Sequence, residues 1–284
     1  MRILIIGASG MLGTDLIKEW PQDEVIPATS RDADIREPEQ VRRLISYARP
    51  DWVVLTAAYT DVDGSERNPD LAFAVNAQGT ENVARAAQEF GAHLFYVSTD
   101  YVYDGVATRP YEPTDAIAPL NVYGQSKAAG EKAIQDHHRQ WCIARTSWLF
   151  GASRTSFPEK ILRASETQPE VTVVADQVGS PTFTGDLARA IRELIRSGVY
   201  GIVNVTNGGS CSWFDFASEV LRQTGRTSVR LLPITTAQAG RPAKRPAYSV
   251  LSPASLHAHS ITLRSWQEAV SAYLQDLRIR GKLT

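Results

Sequence analysis

Tyr123 and Lys127 stand four positions apart in the stretch NVYGQSK, residues 121–127. On a helix, residues at i and i+4 share one face, so a phenol and an ammonium there would share one environment. The ammonium favours phenolate and lowers a pKa that starts near 10, so such a tyrosine can exchange a proton with a substrate oxygen near neutral pH. Upstream, HLFYVSTDYVYDG brings Ser98, Thr99 and Asp100 to the end of an apolar run, with Thr99 24 residues before Tyr123. At the start of the chain, RILIIGASGMLG sets Gly7, Gly10 and Gly13 at the spacing GxxGxxG, with Met11 and Leu12 inside it. Glycines at this spacing after a strand allow a tight turn and close approach of a pyrophosphate, whose charge the following helix N-terminus favours. About 20 residues further on, an acidic side chain would read a ribose 2′-hydroxyl and an arginine a 2′-phosphate. The segment TSRDAD offers Ser30 and Arg31 as well as Asp32 and Asp34. Arg31 falls where a 2′-phosphate would arrive and favours NADPH, while the aspartates leave NADH open; Asp34 and Ile35 would flank the adenine.

These residues need a frame. The first half of the chain alternates short apolar runs with segments of helical period, the pattern of a parallel sheet covered by crossover helices. Strands are predicted at 2–6, 24–28, 52–56, 93–98 and 141–144, and helices at 11–19, 38–48, 68–90 and 119–138. This α/β order, a Rossmann-type doubly wound sheet, places Ser98, Thr99 and Asp100 at the carboxyl edge, where open sheets of this kind bind ligands. Beyond residue 150 the rhythm loosens, with helices predicted at 156–166, 184–197 and 213–224 and strands at 171–176 and 201–205. The stretch 231–260, rich in Pro, Ala and Ser, shows no period and reads as an ordered loop region. A cofactor domain is therefore expected at 1–150 with 183–206, and a smaller, mainly C-terminal α/β substrate lobe at 151–182 with 207–284.

The 284 residues carry a net charge of −1 with 43% hydrophobic and 21% charged residues, ordinary for a globular protein that buries a sizeable core. No global charge excess or basic run supports a nucleic-acid or anionic-membrane partner. The apolar run in MRILIIGASG is too short for a signal peptide or membrane span, so a cytoplasmic location is expected. Cys142, in a strand-like run, and Cys211, in a polar turn, lack CxxC spacing and read as reduced thiols. His137 and His138 end a polar helix and read as solvent-facing, His257 and His259 lack further metal-type ligands at useful spacing, and no metal site is assigned.

In this order, GxxGxxG, STD and YxxxK resemble the extended short-chain dehydrogenases/reductases. More narrowly, STDYVYDG, NVYGQSKAAGE, RTSWLFG, DQVGSPT and RPAYSVL resemble the dTDP-4-dehydrorhamnose reductases across nearly the whole chain. The resemblance implies NADPH-dependent reduction of the C4 keto group of a dTDP-4-keto-6-deoxy sugar. Tyr123 would donate a proton to the C4 oxygen, Lys127 would hold the nicotinamide ribose and lower the tyrosine pKa, and Thr99 would hydrogen-bond the carbonyl oxygen. Of 30 basic residues only six are lysines, so a lysine at 127 suits a task that needs a compact, tunable ammonium.

The resemblance extends further. Ala57, Ala58 and Tyr59 would line the cofactor, and Asn76 would steady the active-site lysine. Val62, Asp100, Tyr101 and Trp148 would meet the sugar nucleotide, with Gln177, Pro181 and Thr182 near substrate or nicotinamide. Arg245 would grip the diphosphate, although family members commonly have asparagine where this chain has Tyr248. Asp61 and Asp63 read as solvated or capping carboxylates. Some members use magnesium at a dimer contact built from acids; this chain offers Asp15 and Asp186 without an adjacent acidic pair, so Mg2+ stays open. A homodimer is implied by the family alone. Dehydratases of the superfamily place Asp-Glu after the threonine, whereas this chain reads Thr99-Asp100-Tyr101, which argues against dehydration. Other nucleotide-sugar reductases and a 4-epimerase remain alternatives, as does a regulatory subunit like that of methionine adenosyltransferase. An intact Thr99, Tyr123 and Lys127 favours an enzyme over a pure binder.

Overall fold

The computed structural model describes residues 1–226 and 228–283. In chain order the first half runs β1 (Arg2–Ile6), α1 (Met11–Leu16), β2 (Glu24–Ala28), α2 (Pro38–Ala48), β3 (Trp52–Leu55), α3 (Val62–Arg67), α4 (Pro69–Phe73), α5 (Gly79–Glu89), β4 (His93–Thr99), α6 (Val122–His137) and β5 (Trp141–Thr146). The second half runs β6 (Leu149–Phe150), α7 (Phe157–Thr167), β7 (Glu170–Val174), β8 (Val178–Gly179), β9 (Thr182–Phe183), α8 (Thr184–Arg196), β10 (Gly201–Asn204), β11 (Cys211–Ser212), α9 (Trp213–Gln223), β12 (Arg230–Ile234), α10 (Thr236–Ala239), α11 (Ala254–His257) and α12 (Trp266–Ile279).

Six strands form one sheet in the order β10-β5-β4-β3-β1-β2, and every pairing in it is parallel. Their near-continuous apolar runs fit strands covered on both faces. Alternate residues feed opposite cores: Ile3, Ile5, Val54 and Phe95 pack with Leu187, Ile191 and Leu194 of α8. Leu4, Ile6, Val53 and Leu55 pack with Val41 and Ile45 of α2, Val83 of α5 and Ile134 of α6. The sheet is thus doubly wound. From β1 the chain turns to β2 on one side and then returns to β3 on the other, which opens a crevice at the carboxyl ends of β1 and β3.

Three departures from the sequence reading matter. The single helix expected at 68–90 is two helices, α4 and α5, joined by a π-turn at Ala74–Gln78. Such turns insert one residue and swing a side chain off the regular face; here that side chain is Asn76. Second, α12 lies where no element was foreseen. Its Ser265–Glu268 capping box and buried Trp266, Ala269, Val270, Tyr273, Leu274 and Leu277 carry a legible helical signature. Third, the stretch 231–260 is not all loop: β12 pairs in parallel with β7, and α10 and α11 follow. Cys211 lies in a buried strand paired with β8 rather than in a polar turn, and both cysteines are free. Around α9 and α12, Phe150, Phe183, Phe216, Trp266 and Tyr273 form a separate aromatic core. Among the described residues no helix is long and apolar enough to cross a membrane.

Candidate active site

A cleft of about 830 Å3 follows the carboxyl ends of β1, β3, β4 and β5, a size usual for small-molecule sites. Its floor begins at Gly7, which adopts φ 97° directly after β1. A Cβ there would stand 2.6 Å from Ala57 N and Thr56 Oγ1, so only glycine lets the two loops meet. Gly10, Met11, Leu12 and Gly13 continue the same wall, and the first turn of α1 carries no acidic side chain to repel an anion. Arg154 closes over this loop, donating from Nε and Nη2 to Ser9 O at 3.0 and 2.7 Å, and Ser153 Oγ donates to Met11 O at 3.1 Å. Ala57 and Ala58 form the facing wall. This cradle fits a dinucleotide pyrophosphate.

At the other end, Thr99, Asp100, Tyr101, Tyr123, Lys127, Val62 and Trp148 border the cleft together. Asn121 caps α6 by accepting from Gly124 N at 2.8 Å, which starts the helix one turn before Lys127 and sets Tyr123 in that first turn. Lys127 is 2% exposed. Its Nζ donates to Val97 O at 2.8 Å and lies 4.0 Å from the centroid of the Tyr96 ring. Burial pushes this ammonium down to about 7, against the opposing pull of Glu131. Burial likewise pushes the Tyr123 phenol up to about 12, an effect the Thr99 hydroxyl partly offsets. The expected lowering of the phenol by Lys127 is therefore not present: the ammonium is turned to the sheet backbone, and desolvation wins. Asp100, 2% exposed, is pushed up to about 7 by burial although Thr99 Oγ1 donates to its Oδ1 at 3.1 Å. Among the described residues, Asp100 Oδ2 and Thr146 Oγ1 are buried at this cleft without a hydrogen-bond partner. They are acceptor and donor capacity left for a polar ligand.

Behind these groups lies a rigid support. Arg145 donates from Nε and Nη2 to the two oxygens of Glu131 at 3.0 and 2.6 Å, and Ser98 Oγ donates to the same carboxylate. Asn76 Oδ1 accepts from Tyr59 N at 2.8 Å, while its Nδ2 donates to Tyr59 O and Ser126 Oγ, both at 3.0 Å. Ser126 Oγ in turn donates to Tyr123 O at 2.8 Å. Asn76 thus ties the segment after β3 to the helix of Tyr123 and Lys127.

A family model described as the RmlD substrate binding domain matches residues 1–279. The dTDP-4-dehydrorhamnose reductase of Mycobacterium tuberculosis strain H37Rv is 40% identical over 96% of this chain and 92% of its own length. The spore coat polysaccharide biosynthesis protein SpsK of Bacillus subtilis is 39% identical over 97% of both chains. The crystal structure of dTDP-4-dehydrorhamnose reductase from Bacillus anthracis in complex with NADP superposes with a TM-score of 0.94 at 38% identity, covering 97% of this chain and 99% of that one. The chain belongs to the RmlD family of dTDP-4-dehydrorhamnose reductases.

As an RmlD family member the chain shows four expected site residues outside the cleft wall: Arg31, Tyr59, Asn76 and Arg245. Arg31 is exposed on the turn after β2, its N–H donating to Thr29 Oγ1; the arginine that borders this end of the cleft is Arg36, held by Asp34. Tyr59 and Asn76 engage each other one layer behind the wall. Arg245 pairs with Asp63 at 3.0 Å, so Asp63 is neither solvated nor a cap; Asp61 does cap α3, accepting from Gly64 N. Gln177, Pro181 and Thr182 also lie off the wall, and Gln177 is spent on Trp213 and Thr236. Arg36, Arg154 and Trp213 are cleft residues that sequence reasoning missed. No motif or spacing marks them, since each arrives from a segment with its own local explanation.

Asp15 and Asp186 do not fit a magnesium site. The Asp15 carboxylate accepts from Thr184 Oγ1 and Lys18 Nζ, with Arg280 beside it. Asp186 is taken up by Arg189, Arg264 and Asn207. Charges already neutralised by protein cations leave a divalent ion little to gain.

Proposed function

We propose that this protein reduces the C4 keto group of dTDP-4-dehydro-L-rhamnose to dTDP-L-rhamnose with NADPH. The observation that carries this reading is the union in one cleft of a glycine cradle for a pyrophosphate with a buried Thr99 and Lys127 and a part-exposed Tyr123 at its far end. When bound, the reduced nicotinamide supplies a hydride to C4. Tyr123, protonated at neutral pH, delivers its phenolic proton to the C4 oxygen, so carbon gains hydride and oxygen gains H+. Thr99 holds that oxygen by turning its one hydroxyl proton to it from Asp100 Oδ1. Lys127, whose Nζ has donors left beside its bond to Val97 O, donates to the ribose of the cofactor.

Val62, Asp100, Tyr101 and Trp148 face the sugar nucleotide in this reading, and Arg245 would bind diphosphate oxygens by exchanging Asp63 for phosphate. The part formed by residues 1–150 with 183–206 serves the cofactor, and 151–182 with 207–284 the sugar nucleotide. A homodimer belongs to the same proposal and is checked by light scattering. The test of function is loss of NADPH absorbance with freshly generated dTDP-4-dehydro-L-rhamnose, alongside NADH. Stoichiometric consumption with formation of dTDP-L-rhamnose supports the reading. Conversion of sugar without net NADPH loss would mean a 4-epimerase, and no conversion despite cofactor binding would refute it.

A further inference from the structure

The part of the cleft wall that Trp148 forms rests on a second indole. Trp148 lies between β5 and β6 with φ 47°, a left-handed conformation that a bulky side chain adopts only when its surroundings over-determine it. Trp213 packs against one face of its ring. The two indoles lie face to face, ring centroids 3.6 Å apart and planes 8° from parallel, and both border the cleft. Trp213 opens α9, whose first turn is fixed by a capping box between Ser212 and Asp215. Its Nε1 donates to Gln177 Oε1 at 3.1 Å, and Gln177 Nε2 donates to Thr236 Oγ1 at 2.9 Å. Thr236 is held by Asp176. The rotation of Trp213 is thus set by side chains that lie off the cleft wall. Elsewhere on Trp148 the backbone of Gly179 packs so closely that a Cβ would stand 2.5 Å from Cε2 of the indole. A tryptophan serving only as core filler would need neither the strained partner nor a polar tether at the rim of a cleft.

We propose that Trp213 is a positioning residue for the sugar-nucleotide end of the cleft: stacked on Trp148, it holds that indole in its strained orientation as a wall for the pyrimidine nucleotide sugar. This rests on the reading of Trp148 as a substrate wall, and the test separates the two.

Steady-state kinetics with NADPH and dTDP-4-dehydro-L-rhamnose are compared for Trp148→Ala, Trp213→Ala, Trp213→Phe and Gly179→Ala. Trp213→Ala is expected to raise KM for the sugar nucleotide about tenfold while KM for NADPH stays within about twofold. Trp213→Phe keeps a flat face and should stay within about threefold of the parent on both constants. Gly179→Ala should reproduce the split of Trp213→Ala, because its methyl displaces the indole from another side. A Trp213→Ala enzyme that leaves the sugar KM unchanged, or raises both constants together, while Trp148→Ala raises the sugar KM alone, overturns the inference. An unchanged sugar KM in Trp148→Ala removes the underlying reading instead, and this inference with it. If Trp213→Ala does not fold, Trp213→Leu, which keeps apolar bulk but no flat face, decides by the same split: a sugar KM raised alone supports the inference, and an unchanged one overturns it.

Discussion

At the hydride end of the cleft, Lys127, Thr99 and Asp100 are 2%, 6% and 2% exposed. At the ribose end, the side chains of Arg36 and Asp34 are 46% and 31% exposed and neutralise each other in contact with water. Both ends carry charged side chains of similar type, yet only the first bends their chemistry. Burial drives the lysine and the Asp100 carboxyl toward neutral pH from opposite sides, both to about 7, whereas at the rim Arg36 holds Asp34 low and solvent screens the rest. Desolvation, more than residue type, separates the buried corner from the exposed rim.

The sharpest way to break this contrast is Tyr123→Phe. It removes one hydroxyl from a buried site, and kcat should fall about 10²–10⁴-fold. The NADPH dissociation constant, measured by fluorescence titration, should move less than about twofold, because the cradle is at the opposite end. A phenylalanine enzyme that still turns over would place the acid elsewhere. Next in size is Asn76→Leu, which leaves the Tyr59 peptide groups without their side-chain partner. Stability should drop by about 1–3 kcal/mol, read by urea denaturation, and kcat should fall about tenfold through loosened Tyr123 placement. A loss of stability with unchanged kcat would make Asn76 structural only.

The same contrast decides what was legible in the sequence. Strands β1 to β5, the glycine cradle and the Tyr123–Lys127 pair were readable because each is fixed by local spacing: apolar runs, positive-φ turns, an i,i+4 helix face. The direction of Lys127 was not, since Val97 O and the Tyr96 ring reach it across 30 and 31 positions of chain. The π-turn was invisible for a related reason: no residue in AVNAQ forbids an α-helix, and only the Tyr59 and Ser126 partners account for it. The helix α12, by contrast, carries a plain capping box and helical period that the sequence alone displays. On the rim, distance along the sequence favours Arg31, and only the three-dimensional arrangement brings Arg36 to the wall in its place.

Proton linkage offers a quieter test of the buried corner in cofactor-free protein. Lys127 keeps its proton to about pH 10.5 when unfolded but only to about 7 when folded. Between those values the unfolded chain binds more protons, so this residue makes stability rise with pH. Asp100 behaves oppositely: folded it holds a proton to about 7, unfolded only to 3.8, so its contribution falls as pH rises through that window. Together they dig a shallow minimum near neutral pH, of order 1–3 kcal/mol per limb or several degrees in Tm. Thermal unfolding from pH 4 to 10 should show Asp100→Asn flattening the acid limb and Lys127→Met the alkaline one. Parallel profiles for all three proteins would mean that the corner is wetter than its packing indicates.

The smallest effects belong to the rim, where they sort the two arginines. Arg36 borders the cleft but is engaged by Asp34 through several hydrogen bonds. Removing it does two things: it deletes the only arginine on that part of the described wall, and it frees a carboxylate that can accept from a ribose 2′-hydroxyl. Both changes point toward NADH, so Arg36→Ala should lower the NADPH-to-NADH ratio of kcat/KM by about three- to tenfold. Arg31, off the wall and exposed, should alter that ratio by less than about twofold when made Ala. The double variant then adds nothing to Arg36→Ala. If Arg31→Ala instead carries the larger shift, the phosphate is read from the turn after β2, outside the cleft wall, and the rim recognises its ligand through a side chain that rearranges to meet it. That outcome would deepen the contrast with the hydride end, where the partners of Lys127 and Asn76 are already in place before any ligand arrives.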